Sequence, residues 1–461
     1  MPTPASPTAT RRLPVVPRWH SLRSSLALAN NPIPQLNRIH TEYGASATVY
    51  LGGMIKTILT RDPGLAQHVL QKNHRNFPKS KFSVGLSRYL GHGLLTSEGA
   101  YWLRQRRLIQ PGFHRQRLAG LTDLMRTVIN ECLQPVAETA ARQGGMVELN
   151  VHVWMTSVAF RVIARSVFSG SVSEEELQRL STLLTSIQAF YTNTIRQPYL
   201  QPWRYLRGQY HLHDRVAAEL RDLIRGYVRR RAVPGAAPAD DLLQMLLDAR
   251  YEDTHEPMSE EQVLDEAIIL LVAGHETSAN ALAWLWYLLA QHPAEVGQVR
   301  AELARHPAPL TFASLAQLPY SLQVIQEVLR LYPPAWIVDR VAREDDVYEG
   351  VPLPAGTLVS VYLYGLHHAP ELWDAPEEFR PARFAKDAPN PPAPYAYLPF
   401  GGGPRLCIGN QFSLTEMQLV LLETLRRFDV EWVPQPPVEL QPLVTLRPRD
   451  GITVRFRLRE E

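Results

Sequence analysis

The stretch Phe400-Gly401-Gly402-Gly403-Pro404-Arg405-Leu406-Cys407-Ile408-Gly409 decides how this chain is to be read. Three consecutive glycines and a proline predict a tight, irregular loop. Cys407 stands where that loop gives way to a helix-like apolar run, Ile408, Phe412, Leu414, Met417, Val420 and Leu421. A thiolate at a helix N-terminus is stabilised by the N–H groups exposed there and by the dipole. Glycines on the approach let backbone amides come close to the sulfur, and such hydrogen bonds tune a metal-bound thiolate. The loop therefore presents a cysteine ready to be a ligand. A single thiolate suits a haem iron, where it pushes electron density toward O–O cleavage. A buried structural cysteine in a glycine-rich turn is the plainer alternative.

The loop resembles the haem-binding signature of the cytochrome P-450 family: Phe, two residues, Gly, one, Arg, one, Cys, one, Gly. Phe400, Gly403, Arg405, Cys407 and Gly409 fill every fixed position. The resemblance implies haem b as cofactor and Cys407 as its metal ligand. It places Phe400, Arg405 and Gly409 among the cofactor-binding residues, Arg405 on a propionate. It also implies one mainly α domain with small β-sheets, the haem lying between a long central helix and the helix after the cysteine loop. The expected division is a flexible, Pro-rich leader over 1–30 and the haem domain over 31–461.

The 461 residues are 45% apolar and 20% charged, an ordinary folded composition with ample core. A net charge of +3, with no dense basic block outside Arg229–Arg231, argues against nucleic acid. Two cysteines, Cys132 and Cys407, exclude a four-cysteine cluster or zinc ribbon, and Cys132 in the helix-like Leu124–Val136 run reads as core. No apolar run of signal length follows residues 1–17, because Arg18, His20 and Arg23 interrupt it. The transmembrane anchor of microsomal relatives is therefore not expected, and a soluble, cytoplasmic enzyme of bacterial type is. Ala267–Ala290 alone reaches spanning length, but His275, Glu276, Thr277 and Asn280 within it are expensive in lipid. A long helix buried in protein is the better reading.

That helix contains Ala273-Gly-His-Glu-Thr-Ser278, which resembles the family's oxygen-activation motif. Ala273 and Gly274 leave room for dioxygen and allow a local opening of the helix. Glu276 can pass protons inward and Thr277 can donate from its hydroxyl, so these two are the expected catalytic residues. A threonine bonding back to its own helix is the plain alternative for Thr277. Trp102 and Arg106, four apart on one helical face, resemble the family's propionate-binding pair. Arg340, past Pro333-Pro334, matches another propionate-binding arginine. Glu327, Arg330 and the downstream Arg383 resemble the family's buried Glu–Arg–Arg set, whose role is structural.

Elsewhere, Ile33–Tyr43 and Asp62–Asn73 read as helices, and Thr48–Leu51 with Lys56–Thr60 as a hairpin turned at Gly52–Gly53. From Leu118 to Tyr251 the pattern is helical, broken at Gln197–Arg207 by Pro198, Tyr199, Pro202, Trp203 and Tyr205. The resemblance makes that break a lid over the substrate cavity. Strands follow at Val347–Tyr348 and Thr357–Leu363, and alternation over Val430–Arg457 predicts a closing sheet. The implied reaction inserts one atom of O2 into an apolar, elongated substrate, a carotenoid, terpenoid or fatty acid. With two cysteines and no Gly-x-Gly-x-x-Gly after a strand, the electrons come from a separate ferredoxin with its reductase, or a flavodoxin. Arg104 and Arg107 are the expected docking cations. A gas-binding haem protein and a peroxide-dependent relative are the alternatives; neither needs the Glu276–Thr277 pair.

Overall fold

Ser259 opens the longest helix, Glu260–Gln291, with a capping box: its hydroxyl accepts from Gln262 N, and the Gln262 side chain accepts from Ser259 N. Glu260 and Glu261 in the first turn suit the positive end of the dipole. Beyond them the helix is apolar nearly all round, and 72% of its most apolar window is buried in protein. It has the length and composition of a membrane span, yet it is a core helix. Asn280, wholly buried, bonds Thr445 and His152 rather than facing lipid.

The computed structural model describes residues 11–20, 31–51, 53–80, 85–169, 172–197, 200–231, 233, 239–306 and 309–459. It is 57% helical with small sheets, mainly α as the sequence predicts. Two compact units divide it: Met1–Val84, Ala335–Glu377 and Pro392–Cys407 in one, and Gly85–Pro334, Glu378–Pro391 and Ile408–Glu461 in the other. Residues 1–10 and 21–30 of the expected leader, Gly52 of the hairpin turn, and Pro198 and Tyr199 of the helix break lie outside the described residues.

The first unit is built on a four-stranded sheet in the order Ser46–Leu51, Ile55–Thr60, Leu358–Val361, Val338–Val341. The hairpin is antiparallel with Ser46 opposite Thr60, and Ile55–Thr60 runs parallel to Leu358–Val361. Within the expected leader, Val15 bridges Thr48, and Thr48 N donates to Pro14 O at 2.8 Å. Val16 is 2% exposed, so this part of the leader covers the edge of the sheet.

The second unit surrounds the central helix. Val151–Phe168, capped by the Asn150 side chain, packs along it. The two helices come close at Gly274: a Cβ there would lie 2.8 Å from Ile163 Cγ1. The helix is unbroken from Glu260 to Gln291, and the glycine serves packing. The long helical stretch is also interrupted where no strand is predicted. Met146–Asn150 pairs with Thr453–Leu458, which pairs in turn with Phe428–Trp432; these last two strands form the closing sheet expected over Val430–Arg457. Glu148, Arg455 and Glu431 line up across the three strands as ion pairs.

Candidate active site

In the first unit, residues 400–407 close on themselves through backbone bonds. Gly401 N donates to Leu398 O, Leu406 N to Gly403 O and Cys407 N to Phe400 O, each at 3.0 Å. Gly401 and Gly403 take left-handed φ values of 73° and 66°. Gly403 admits nothing larger, because a Cβ would stand 2.0 Å from Leu70 O. That carbonyl belongs to a single π-helical turn, His68–Lys72, which continues the Asp62-capped helix Pro63–Gln67. His367, fully buried, accepts from Leu398 N at 2.8 Å and pins the approach. The loop delivers Cys407 exposed, with Phe400 and Arg405 half-buried. Cys407 stands just ahead of Gly409, the N-cap of the helix Asn410–Arg427, where the loop gives way to the helix. Arg340, half-buried on Val338–Val341, donates from Nη1 to Asp339 O at 2.8 Å.

In the second unit, Glu327 and Arg330 are wholly buried on Pro319–Leu331. Arg330 Nε meets Glu327 Oε2 at 2.8 Å and Nη2 meets Oε1 at 2.9 Å, a two-pronged pair. Arg383 Nε adds a bond to Oε1 at 3.0 Å, and Arg380 N one at 2.9 Å. The predicted set of three is thus assembled. Both guanidiniums also reach Glu378 O, which ties residues 378–383 to the helix.

Thr277 and Glu276 are half-buried rather than buried. Thr277 Oγ1 donates to Ala273 O at 2.6 Å, the helical back-bond that was the plain alternative. Thr277 and Ala273 therefore share one face, and Ala273 is exposed. Glu276 turns elsewhere: Oε1 accepts from Thr445 Oγ1 at 2.6 Å and Oε2 from Gln188 Nε2 at 3.0 Å. The central helix and Asn410–Arg427 meet where Ser278 Oγ and Ser413 Oγ lie 3.2 Å apart. Trp102 is buried and Arg106 half-buried on Gly99–Ile109. Arg104 and Arg107, expected as docking cations, are both exposed, Arg104 stacking 3.8 Å over the Tyr251 ring and bonding Asp253 at 3.0 Å.

Several buried acids on these helices carry no motif. Glu266 is 1% exposed, accepts from Leu94 N at 3.0 Å, and is pushed by burial up to about 8. Asp265 accepts from His92 N at 2.7 Å and from Arg221 at 2.6 Å. A Cβ on Gly91 or Gly93 would strike these carboxylates, so Gly91-His-Gly93 is the one trace they leave in the sequence. Glu416, wholly buried on Asn410–Arg427, is likewise pushed up to about 8. His275 packs edge-on to Phe160 and is driven by burial down to about 4, so it is a neutral core residue.

The donor set fits a metal carried in a macrocycle. Among the described residues no group of three or more His, Cys, Asp and Glu side chains could hold a bare ion. What the loop unit offers is one exposed thiol, with guanidiniums at Arg405 and Arg340. A lone thiolate ligand and anchors for carboxylates are what an iron porphyrin asks of a protein.

This is a helical, cysteine-loop protein of the haem-thiolate class. The cytochrome P450 family model matches residues 7–456. The cyclooctat-9-en-7-ol 5-monooxygenase of Streptomyces melanosporofaciens is 32% identical over 90% of this chain and 88% of its own. The 11-oxo-beta-amyrin 30-oxidase of Glycyrrhiza uralensis is 30% identical over 90% of this chain and 80% of its own. The crystal structure of the cytochrome P450DA heme domain superposes with a TM-score of 0.85 at 25% identity, covering 98% of this chain and 99% of that one. The chain belongs to the cytochrome P450 family. It is a haem-thiolate monooxygenase that works with O2 and a redox partner on hydrophobic substrates.

Proposed function

We propose that the enzyme hydroxylates a terpenoid, using haem b and electrons from a separate ferredoxin or flavodoxin in the cytoplasm. The observation that carries the site reading is the closed loop around Gly401 and Gly403, which leaves Cys407 exposed at its end. Cys407 is the metal ligand. Phe400, Arg405 and Gly409 in the loop, with Trp102, Arg106, Ala273 and Arg340, hold the cofactor, the arginines and Trp102 through its carboxylates. The bound haem supplies the chemistry of splitting O2 and inserting one oxygen atom into a C–H bond. The chain's own residues supply position and protons. Thr277 releases its back-bond to Ala273 O and donates from Oγ1, and Glu276 replenishes that proton. Glu327, Arg330 and Arg383 keep the segment before the loop in place. Exposed Arg107 offers charge to an acidic electron donor.

The names of the relatives support the substrate class: one acts on cyclooctat-9-en-7-ol, another on 11-oxo-beta-amyrin, a third on echinocystic acid, all terpenoids. This narrows the carotenoid, terpenoid or fatty-acid range of the sequence. Titrating purified holoenzyme with geranylgeraniol, beta-amyrin and palmitic acid tests it through the low- to high-spin Soret shift. A shift with a terpenoid and none with palmitate is expected; a shift with palmitate alone defeats the proposal. Thr277→Ala is expected to leave that shift in place while diverting most reducing equivalents to peroxide, as quantified per NADPH consumed. Unchanged coupling would remove Thr277 from the proton path.

A further inference from the structure

Thr445 lies just ahead of the strand Leu446–Pro448 and is 7% exposed. Its hydroxyl has one proton and gives it to Glu276 Oε1 at 2.6 Å. The hydroxyl oxygen accepts from Asn280 Nδ2 at 2.9 Å. With its amide nitrogen on Thr445, Asn280 turns Oδ1 to His152 Nε2 at 3.1 Å, which makes His152 the donor there. Burial, and after it a smaller contribution from the nearby Arg447, holds His152 below its usual range. A neutral ring has one N–H to give, and this geometry spends it on Asn280. The chain His152, Asn280, Thr445, Glu276 therefore runs in one sense, every donor facing the carboxylate.

The second oxygen of Glu276 is met by Gln188 Nε2 at 3.0 Å, from the helix Glu174–Arg196. The two supports are unequal. Thr445 is buried and backed by fully buried Asn280, whereas Gln188 is half-buried at the end of a long side chain. Neighbouring residues on a helix point about 100° apart, so the rotamer of Glu276 decides whether its carboxyl group lies toward Thr277 or away from it. Both oxygens are taken by these two donors, while the Thr277 hydroxyl donates to Ala273 O instead of to Glu276.

We propose that Thr445, backed by Asn280 and His152, is a positioning residue that fixes Glu276 where it takes up its proton and thereby sets how much reducing power ends in product. This rests on the monooxygenase reading with Glu276 as the proton-carrying acid. Gln188 is the support that yields when Glu276 swings toward Thr277, and Thr445 is the one that brings it back.

The test compares Thr445→Val and Thr445→Ser with the parent holoenzyme. One readout is infrared: the parent-minus-Glu276→Gln difference spectrum isolates the carboxylate bands. These are expected to shift in Thr445→Val and to stay in Thr445→Ser. The other is coupling with geranylgeraniol as probe, scored as peroxide released per NADPH. Thr445→Val is expected to lower coupling about fivefold, with Thr445→Ser restoring it. Unchanged bands and unchanged coupling in Thr445→Val overturn the proposal, as does a Thr445→Ser variant that behaves like valine. If valine prevents folding, Thr445→Ala removes the same hydroxyl without the added methyl, and unchanged bands with unchanged coupling in that variant overturn the proposal. A parent without the red-shifted carbon-monoxide band defeats the monooxygenase reading instead, which keeps the two failures apart.

Discussion

Cys407→Ala is expected to abolish the red-shifted Soret band of the reduced, carbon-monoxide-bound protein and all oxygen insertion with it. Cys132→Ala is expected to leave both intact. The chain has two cysteines, and their surroundings part them. Cys132 sits half-buried on Arg115–Arg142, where burial pushes its thiol up to about 11. At neutral pH that group rests as the thiol, packed on a helix rather than presented by a loop. Cys407 is exposed at the end of a loop whose closing bonds include Cys407 N to Phe400 O, made by its backbone and not its sulfur. Removing its sulfur therefore leaves the Cys407 N bond to Phe400 O and the two left-handed glycines in place. Far-ultraviolet circular dichroism should match the parent while the band disappears. Survival of the band in Cys407→Ala would assign the ligand to another residue, and the loop would then be a structural turn.

The cysteine loop was legible because its requirements are local. Glycines that must take left-handed φ, and an arginine and a cysteine at fixed offsets, leave their mark within ten positions. Glu327 and Arg330 were legible for the same reason, and Arg383 through its place after Phe379. What escaped depends on contacts that join distant residues. Gly274 gives no sign in the sequence of its packing against Ile163, which only the approach of two helices reveals. Thr445 gives no sign of its bond to Glu276, 169 positions away, because a threonine in a turn is commonplace. Met146–Asn150 has too few residues for alternation to stand out between helices, and its partner strand is more than 300 positions further on. The Thr277 back-bond is local, and it was foreseen as one of two readings. The residue type allows both, and the helix as it stands shows the back-bond that the proton-donor role would have to release.

Glu327→Ala is expected to destabilise the protein by about 3–5 kcal/mol, read as a drop in the urea midpoint at unchanged m-value. The magnitude follows from burial. Glu327 and Arg330 have fully buried side chains and that of Arg383 is 9% exposed, so removing the carboxylate strands two guanidiniums that water cannot reach. It also takes the acceptor from Arg380 N, one of the bonds holding residues 378–383 to the helix. Arg88 and Asp214 form a pair of similar bond lengths, 2.9 and 2.8 Å, in the open. There both side chains are more than a third exposed, and Asp214→Ala is expected to cost less than about 1 kcal/mol. Glu327→Gln separates charge from shape: it keeps an oxygen for Arg380 N but no longer answers two cations, so it should retain only part of the loss-free midpoint. If Glu327→Ala and Asp214→Ala fall by the same small amount, the buried set is not what holds the segment ahead of the cysteine loop. Residues 378–383 must then be held by bonds that survive the substitution, such as Arg330 Nη2 to Glu378 O at 3.2 Å.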